Sequence, residues 1–95
     1  MVDDWLLQDI KNKLRVTWDD EDDMIRKIGF RAIEYLNGKC NEELDYTVEG
    51  NPKALMLERC FYDFNNALSD FETNYKSELL ALIADTAVKK FVLSE

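Results

Sequence analysis

Apolar residues recur at intervals of three and four along most of the chain, which is the spacing of one face of an α-helix. This pattern predicts a first helix from about Asp4 to Leu14, capped by Asp3 or Asp4. Its predicted buried face consists of four aliphatic residues: Leu6, Leu7, Ile10 and Leu14.

A second helix is predicted from about Asp20 to Asn37, with Thr17 or Asp19 as its cap. Five apolar residues form its predicted buried face: Ile25, Ile28, Ala32, Ile33 and Leu36. The Asn37-Gly38 pair predicts the end of this helix, because both residue types adopt the left-handed conformation that terminates helices.

The second half of the chain is predicted to hold two further helices after an irregular connection. Residues 39–50, KCNEELDYTVEG, have no helical period. A third helix then begins with Asn51 as its cap and Pro52 in its first turn, where the missing N–H costs nothing. Its apolar positions alternate at steps of four and three: Leu57, Phe61, Phe64, Leu68, Phe71 and Tyr75. A break is predicted near Glu72 to Asn74, since threonine and asparagine favour turns, and a last helix from about Tyr75 to Val92.

With 95 residues, the chain is predicted to be one domain, residues 1–95. Its fold class is all-α, a small bundle of about four helices with an irregular connection between the second and third. A core of this size leaves a domain marginally stable, and small domains gain stability from disulfides, metals or partners. Cys40 and Cys60 show no CxxC spacing and are expected to be reduced thiols. Partners are therefore the expected source of extra stability.

The charge of the chain limits the classes of partner. Twenty acidic residues face twelve lysines and arginines, a formal net charge of −8. This balance argues against nucleic-acid binding, which needs a basic surface, and against an anionic membrane. The longest apolar run, Leu79 to Ala84, is too short to span a bilayer. With no signal peptide visible after Met1, the chain is expected to be soluble and intracellular.

The sequence offers little for catalysis. It contains no histidine, so a zinc site lacks its usual ligands, and neither cysteine has a visible base partner. Isolated glycines form no phosphate-binding loop. No catalytic, cofactor or metal site is predicted, and the protein is not expected to be an enzyme.

Five consecutive acids, Asp19, Asp20, Glu21, Asp22 and Asp23, form the most conspicuous motif. A calcium loop would need glycine at its sixth position and glutamate at its twelfth, where this chain has Met24 and Phe30. Carboxylates in a row on one helical turn also point in different directions. The run is therefore interpreted as the start of the second helix, where unpaired N–H groups favour acids.

The predicted last helix has more apolar residues than one buried face needs. They are Leu79, Leu80, Leu82, Ile83, Ala84, Ala87, Val88, Phe91, Val92 and Leu93. Excess apolar surface on a small protein indicates an interaction site. The alternative is that the helix passes between the other three and is buried on all sides.

Three segments resemble the head–tail connector (adaptor) proteins of long-tailed bacteriophages and prophages of Gram-positive bacteria. They are IKNKLRVTWDDEDDMI, RAIEYLNGKCNEELDY and ERCFYDFNNALSDFETNYKSELLALI, and the resemblance extends from about Leu6 to Ala84. Its markers are LR-x-x-W-D-x-E-D-D before the second helix, NNAL within the third and NYKSELLAL at the start of the fourth.

This resemblance implies a structural subunit that needs no cofactor and forms a ring of twelve on the portal vertex, joining the DNA-filled head to the tail. Its expected partners are further copies of itself, the portal protein and the next connector or tail component. By position, the portal contact is assigned to Val88, Phe91, Val92 and Leu93. The downstream face is assigned to Glu42, Glu43, Asp45, Tyr46 and Glu49. Assembly is expected in the host cytoplasm, after which the subunit belongs to the virion.

Genomic DNA would pass through such a ring without specific binding. The acids of the run, Asp19, Asp20, Glu21, Asp22 and Asp23, are candidates for a negative lumen that repels phosphate. A competing hypothesis is a small acidic phage inhibitor that mimics the charge of DNA, although such an inhibitor has little use for an apolar last helix. A third is a helical adaptor with no phage role.

Overall fold

The computed structural model describes residues 3–93, and for residues 92 and 93 the backbone alone. This part of the chain contains five helices and no strand: α1 Asp4–Leu14, α2 Asp22–Cys40, α3 Asn51–Phe64, α4 Leu68–Asn74 and α5 Lys76–Leu93. The all-α class is therefore confirmed, with five helices where about four were predicted. α1, α2 and α3 pack against one another, and α5 lies against α2, α3 and α4.

α1 has the predicted bounds and the predicted buried face, whose members Leu6, Leu7, Ile10 and Leu14 are at most 8% exposed. Asp3 precedes the helix, and its carbonyl oxygen accepts from the N–H of Leu7 at 2.8 Å. Its side chain makes no capping bond. Arg15 ends the helix in the left-handed conformation, at φ 61°.

The predicted end of α2 is wrong. The helix continues through Gly38, which has no positive φ, and stops after Cys40. Asn41 supplies the left-handed residue at φ 51°, and the N–H of Glu42 donates to the carbonyl of Asn37 at 3.1 Å. The extra turn buries Cys40 at 5% exposure. Burial of this side chain therefore outweighs the local turn preference of the Asn-Gly pair.

The predicted caps of α2 are also wrong. The helix begins at Asp22, with Glu21 in the cap position and no side-chain capping bond. The N–H of Asp22 instead donates to the backbone carbonyl of Asp19 at 3.2 Å. The carboxylate of Asp19 is not available as a cap because it binds a lysine of α1.

The long periodic segment after Asn51 is two helices where one was predicted. Asn66 has a left-handed φ of 57°, and the N–H of Ala67 donates to the carbonyl of Tyr62 at 2.8 Å, which ends α3. The break rotates the later positions of the apolar stripe, so that Phe71 is fully buried while Phe61 is 41% exposed. The second break lies at Tyr75, one residue after the predicted segment.

Phe71 is the centre of an aromatic cluster that joins α4 to its neighbours. Its ring stacks on Tyr75 with a centroid distance of 5.2 Å and meets Tyr62 and Tyr35 edge-on at 5.8 and 6.4 Å. The guanidinium carbon of Arg59 lies 3.4 Å from the centroid of Tyr35. Because Tyr75 is the residue that links α4 and α5, this cluster fixes the point at which α5 begins.

Candidate assembly surfaces

α5 has a buried face and an exposed apolar face. Leu79, Leu82 and Thr86 are at most 8% exposed and pack on the bundle. On the opposite side lie five apolar residues that we call the outer strip: Leu80, Ala84, Ala87, Val88 and Phe91. The three larger members are 57%, 60% and 69% exposed, respectively. α5 is therefore not buried on all sides. The apolar residues that its buried face does not use are exposed on the opposite side of the helix.

The structure describes half of the residues to which portal contact was assigned. Val88 and Phe91 belong to the outer strip. The side chains of Val92 and Leu93 lie outside the described residues. Leu80 and the two alanines were not part of that assignment, although they extend the same exposed face by about two helical turns towards the start of α5.

The side-chain amide of Asn37 holds the middle of the connection between α2 and α3 to the bundle. The side-chain oxygen of Asn37 accepts from the hydroxyl of Tyr46 at 2.9 Å and from the backbone N–H of Leu44 at 3.1 Å. Tyr46 is only 7% exposed, and burial raises the pKa of its hydroxyl. Tyr46 therefore fixes the connection from inside, unlike the four acids assigned with it to the downstream face.

Those four acids are exposed on the connection: Glu42, Glu43, Asp45 and Glu49. The hydroxyl and the backbone N–H of Thr47 donate to Asp45, and these bonds hold the pKa of its carboxyl below the ordinary range. Glu49 pairs with Lys53 at 2.8 Å. Residues 41–50 carry four carboxylates and no lysine or arginine, so the connection is a concentrated negative surface.

We expect Asn37→Ala to destabilise the protein by about 1–3 kcal/mol, because it leaves the buried Tyr46 hydroxyl and an amide N–H without their acceptor. Urea unfolding followed by circular dichroism measures this loss. Asn74→Ala is the matched control: its amide donates to Tyr62 at 3.1 Å in an exposed bond, and its removal should cost less than about 0.5 kcal/mol. Equal losses in the two variants would contradict this role of Asn37.

The acidic run does more than begin a helix. The ammonium of Lys11, a residue 4% exposed, lies 2.8 Å from an oxygen of Asp19 and 2.7 Å from one of Asp22. The hydrogen bonds to Asp19 and then Asp22 raise the pKa of Lys11, and the bond from Lys11 lowers that of Asp19. Two of the five carboxylates therefore do converge on a cation, and that cation is a side chain of α1.

Sequence inspection missed Lys11, although a signal for it exists. Lys11 lies four residues after Leu7 and three before Leu14, at a buried position of the α1 stripe. A lysine at such a position needs carboxylate partners, and the acidic run begins eight residues later in the sequence. The remaining acids differ: Asp23 is 96% exposed and 3.7 Å from Arg26, Asp20 is exposed and Glu21 is half-buried.

Within residues 3–93, no group of three or more His, Cys, Asp or Glu side chains is arranged to hold a metal ion. Burial raises the pKa of the Cys60 thiol to about 12, so this cysteine is protonated at neutral pH. The described helices include none with the length and apolar character that a membrane span requires.

The acidic connection and α5 meet in a groove of about 520 Å³. Its walls carry Glu42, Glu43, Asp45 and Glu49 from the connection and Asp85, Lys89 and Lys90 from α5, with Leu44, Val48, Pro52, Leu82 and Thr86 between them. The ammonium of Lys90 donates to the carbonyl of Asn41 at 2.7 Å and ties α5 to the connection. Two segments that the sequence assigned to opposite partners are thus neighbours.

A family model described as "Phage gp6-like head-tail connector protein" matches residues 5–89. Searches of curated proteins and of solved structures found no match. The matched segment contains α2, α3 and α4, all but the first residue of α1 and most of α5. It therefore includes the connection and most of the groove and of the outer strip.

Proposed function

The chain belongs to the phage gp6-like head–tail connector family, and from this premise we propose that it is a ring-forming adaptor subunit that docks on the portal vertex. In this proposal twelve copies form the ring, which joins the DNA-filled head to the next connector component or the tail. The subunit assembles in the host cytoplasm and remains in the virion. The observation that carries the proposal is the exposed outer strip of α5.

The outer strip has the spacing of a helix-packing surface. Leu80, Ala84, Ala87 and Phe91 follow one another at steps of four, three and four, as apolar residues do in coiled coils. The two alanines allow a second helix to approach closely, while the larger side chains supply apolar area. Burying such area stabilises an interface by roughly 25 cal/mol per Å². The strip therefore fits a helix of the portal protein better than a flat polar surface.

The distribution of charge supports passage of DNA through the proposed ring. Asp19 and Asp23 are 86% and 96% exposed at their side chains, and Asp20 is also exposed. Lys11 and Arg26 neutralise part of the run, so we propose a lumen that is moderately negative and to which phosphate does not adhere. The exposed acids of residues 41–50 are proposed for the downstream face.

The double substitution Leu80→Glu/Val88→Glu tests this function. It should weaken binding to the purified cognate portal by about 100-fold or more, because two carboxylates would be buried in an apolar contact. Native mass spectrometry and electron microscopy of portal mixtures measure the loss, and circular dichroism should show an unchanged helical monomer, since both side chains face solvent.

Ser69→Glu/Ser77→Glu is the control, since it adds the same two charges at exposed polar positions. Binding of this control should stay within about twofold of the unaltered protein. The proposal fails if the Leu80 and Val88 variant binds the portal as the unaltered protein does, or if both variants lose binding equally.

A further inference from the structure

The geometry points to a second binding site on α5, separate from the outer strip: the groove between α5 and the connection accepts a polypeptide segment with alternating basic and apolar side chains. The identification of the occupant as a protein rests on the proposed connector function. The groove itself is defined by the acids of the connection, by Asp85 of α5, and by an apolar floor that includes Leu44 and Leu82.

The groove and the outer strip lie on different sides of the same helix. Leu82, Asp85, Thr86 and Lys89 line the groove, at steps of three and one along α5. The outer strip starts at Leu80, about 200° around the helix from Leu82. A partner in the groove therefore leaves the outer strip accessible, and α5 can contact two proteins at once.

The charge around the groove favours a cationic occupant. Five carboxylates line it against two lysines, an excess of three negative charges. Within the described residues, Glu42, Glu43 and Asp85 have no ion pair, whereas Glu49 is paired with Lys53. The ammonium of Lys90 donates to the carbonyl oxygen of Asn41. A segment with two or three basic side chains would balance the carboxylates that have none.

The floor of the groove favours an occupant that also carries apolar side chains. Leu82 is 4% exposed and lies at the base, Leu44 is half-buried, and Val48 is 57% exposed at the rim. The hydroxyl of Thr86 donates to the carbonyl of Leu82 at 2.8 Å, so it needs no partner from a ligand. Side chains of an extended segment alternate in direction, which lets apolar ones reach the floor while basic ones reach the acids.

Other classes of occupant fit less well. Nucleic acid carries the same sign of charge as the walls and would be repelled. The described carboxylates form no cluster that could hold a metal ion. The connection is already ordered by Asn37 and Tyr46, so binding does not have to order it first. The occupant is therefore a segment of the next protein in the connector that carries both basic and apolar side chains.

The test uses the full-length, isotopically labelled chain and, as probe, a short synthetic peptide of alternating lysine and leucine. Amide shifts should change at residues 42–50 and 82–90. Calorimetry should show that Glu42→Gln/Glu43→Gln/Asp85→Asn binds the peptide about tenfold more weakly. A peptide with serine in place of leucine should also bind about tenfold more weakly, because it leaves the floor unfilled.

The matched control, Asp20→Asn/Glu34→Gln/Asp70→Asn, removes three exposed carboxylates that have no ion pair in the described residues and lie outside the groove. Its affinity should stay within about twofold. Equal weakening of both triple variants, shifts outside the groove, or no difference between the two peptides would overturn the inference. Portal binding by the unaltered protein is measured in parallel: if it does not bind the portal, the connector function is refuted, whereas the groove is still tested by the peptides.

Discussion

Phe71→Ala is expected to destabilise the protein by about 3–5 kcal/mol, the range for removing a fully buried aromatic ring. Phe71 is 0% exposed and contacts the rings of Tyr35, Tyr62 and Tyr75. Domains of this size have a total stability of about 5–15 kcal/mol, so the loss would remove a large share of it. Urea unfolding monitored by circular dichroism measures the change.

Phe61→Ala is the control, because Phe61 belongs to the same sequence stripe but is 41% exposed. It should cost about 1 kcal/mol or less. Equal losses at the two positions would mean that the break between α3 and α4 does not separate them as the structure shows. A milder Phe71→Leu change should fall between the two, since it keeps apolar volume but loses the stacking on Tyr75.

Asp19→Asn/Asp22→Asn is expected to lower the thermal unfolding midpoint by several degrees. The double change leaves the buried ammonium of Lys11 without a carboxylate, and an unpaired buried charge is strongly unfavourable. Asp20→Asn/Asp23→Asn removes the same net charge at the two adjacent positions, where the side chains are exposed, and should change the midpoint little. Differential scanning calorimetry compares the two variants.

A third variant tests whether the loss of stability arises from the unpaired ammonium of Lys11 or from the absence of the two acids. Adding Lys11→Met to Asp19→Asn/Asp22→Asn removes the stranded ammonium and should recover much of the lost midpoint. If the triple variant is no more stable than the double one, the loss does not arise from the buried charge.

The pH dependence follows from the same contacts. Asp19 has a lowered pKa, so its contribution is present above the ordinary aspartate value near 4 and is lost as pH falls below it. Lys11 has a raised pKa, so its contribution is present below the ordinary lysine value near 10.4 and is lost as pH rises through the raised one. The unaltered protein and the double variant should therefore differ most near neutral pH and converge as the pH falls through the lowered pKa of Asp19.

The spacing of apolar residues predicted the features that depend only on residues close together in the sequence. The stripe of α1 gave the bounds and buried face of that helix, and the surplus of apolar residues in α5 indicated an exposed face without any knowledge of its neighbours. The end of α2 required long-range information: Asn37 looks like a terminator in sequence, yet its side chain holds Tyr46 and Leu44 of the connection.

Two further differences have specific physical causes. The NNAL segment contains turn-forming residues, but the apolar period continues through it, and only the left-handed conformation of Asn66 shows that the period spans two helices. The groove could not be foreseen, because residues 42–49 and 82–90 are far apart in sequence and meet only through the packing of α5. The sequence did indicate both segments as surfaces, while assigning them to opposite sides.

The pairing of Lys11 with two aspartates has a consequence for a particle that leaves its host. Where a corner between helices is held by a bound calcium ion, the ion dissociates when its concentration outside falls or when a chelator competes for it. Here the positive charge is covalently part of the polypeptide, so dilution cannot remove it. The turn between α1 and α2 should keep its shape in fresh water, in brine and in the presence of EDTA alike.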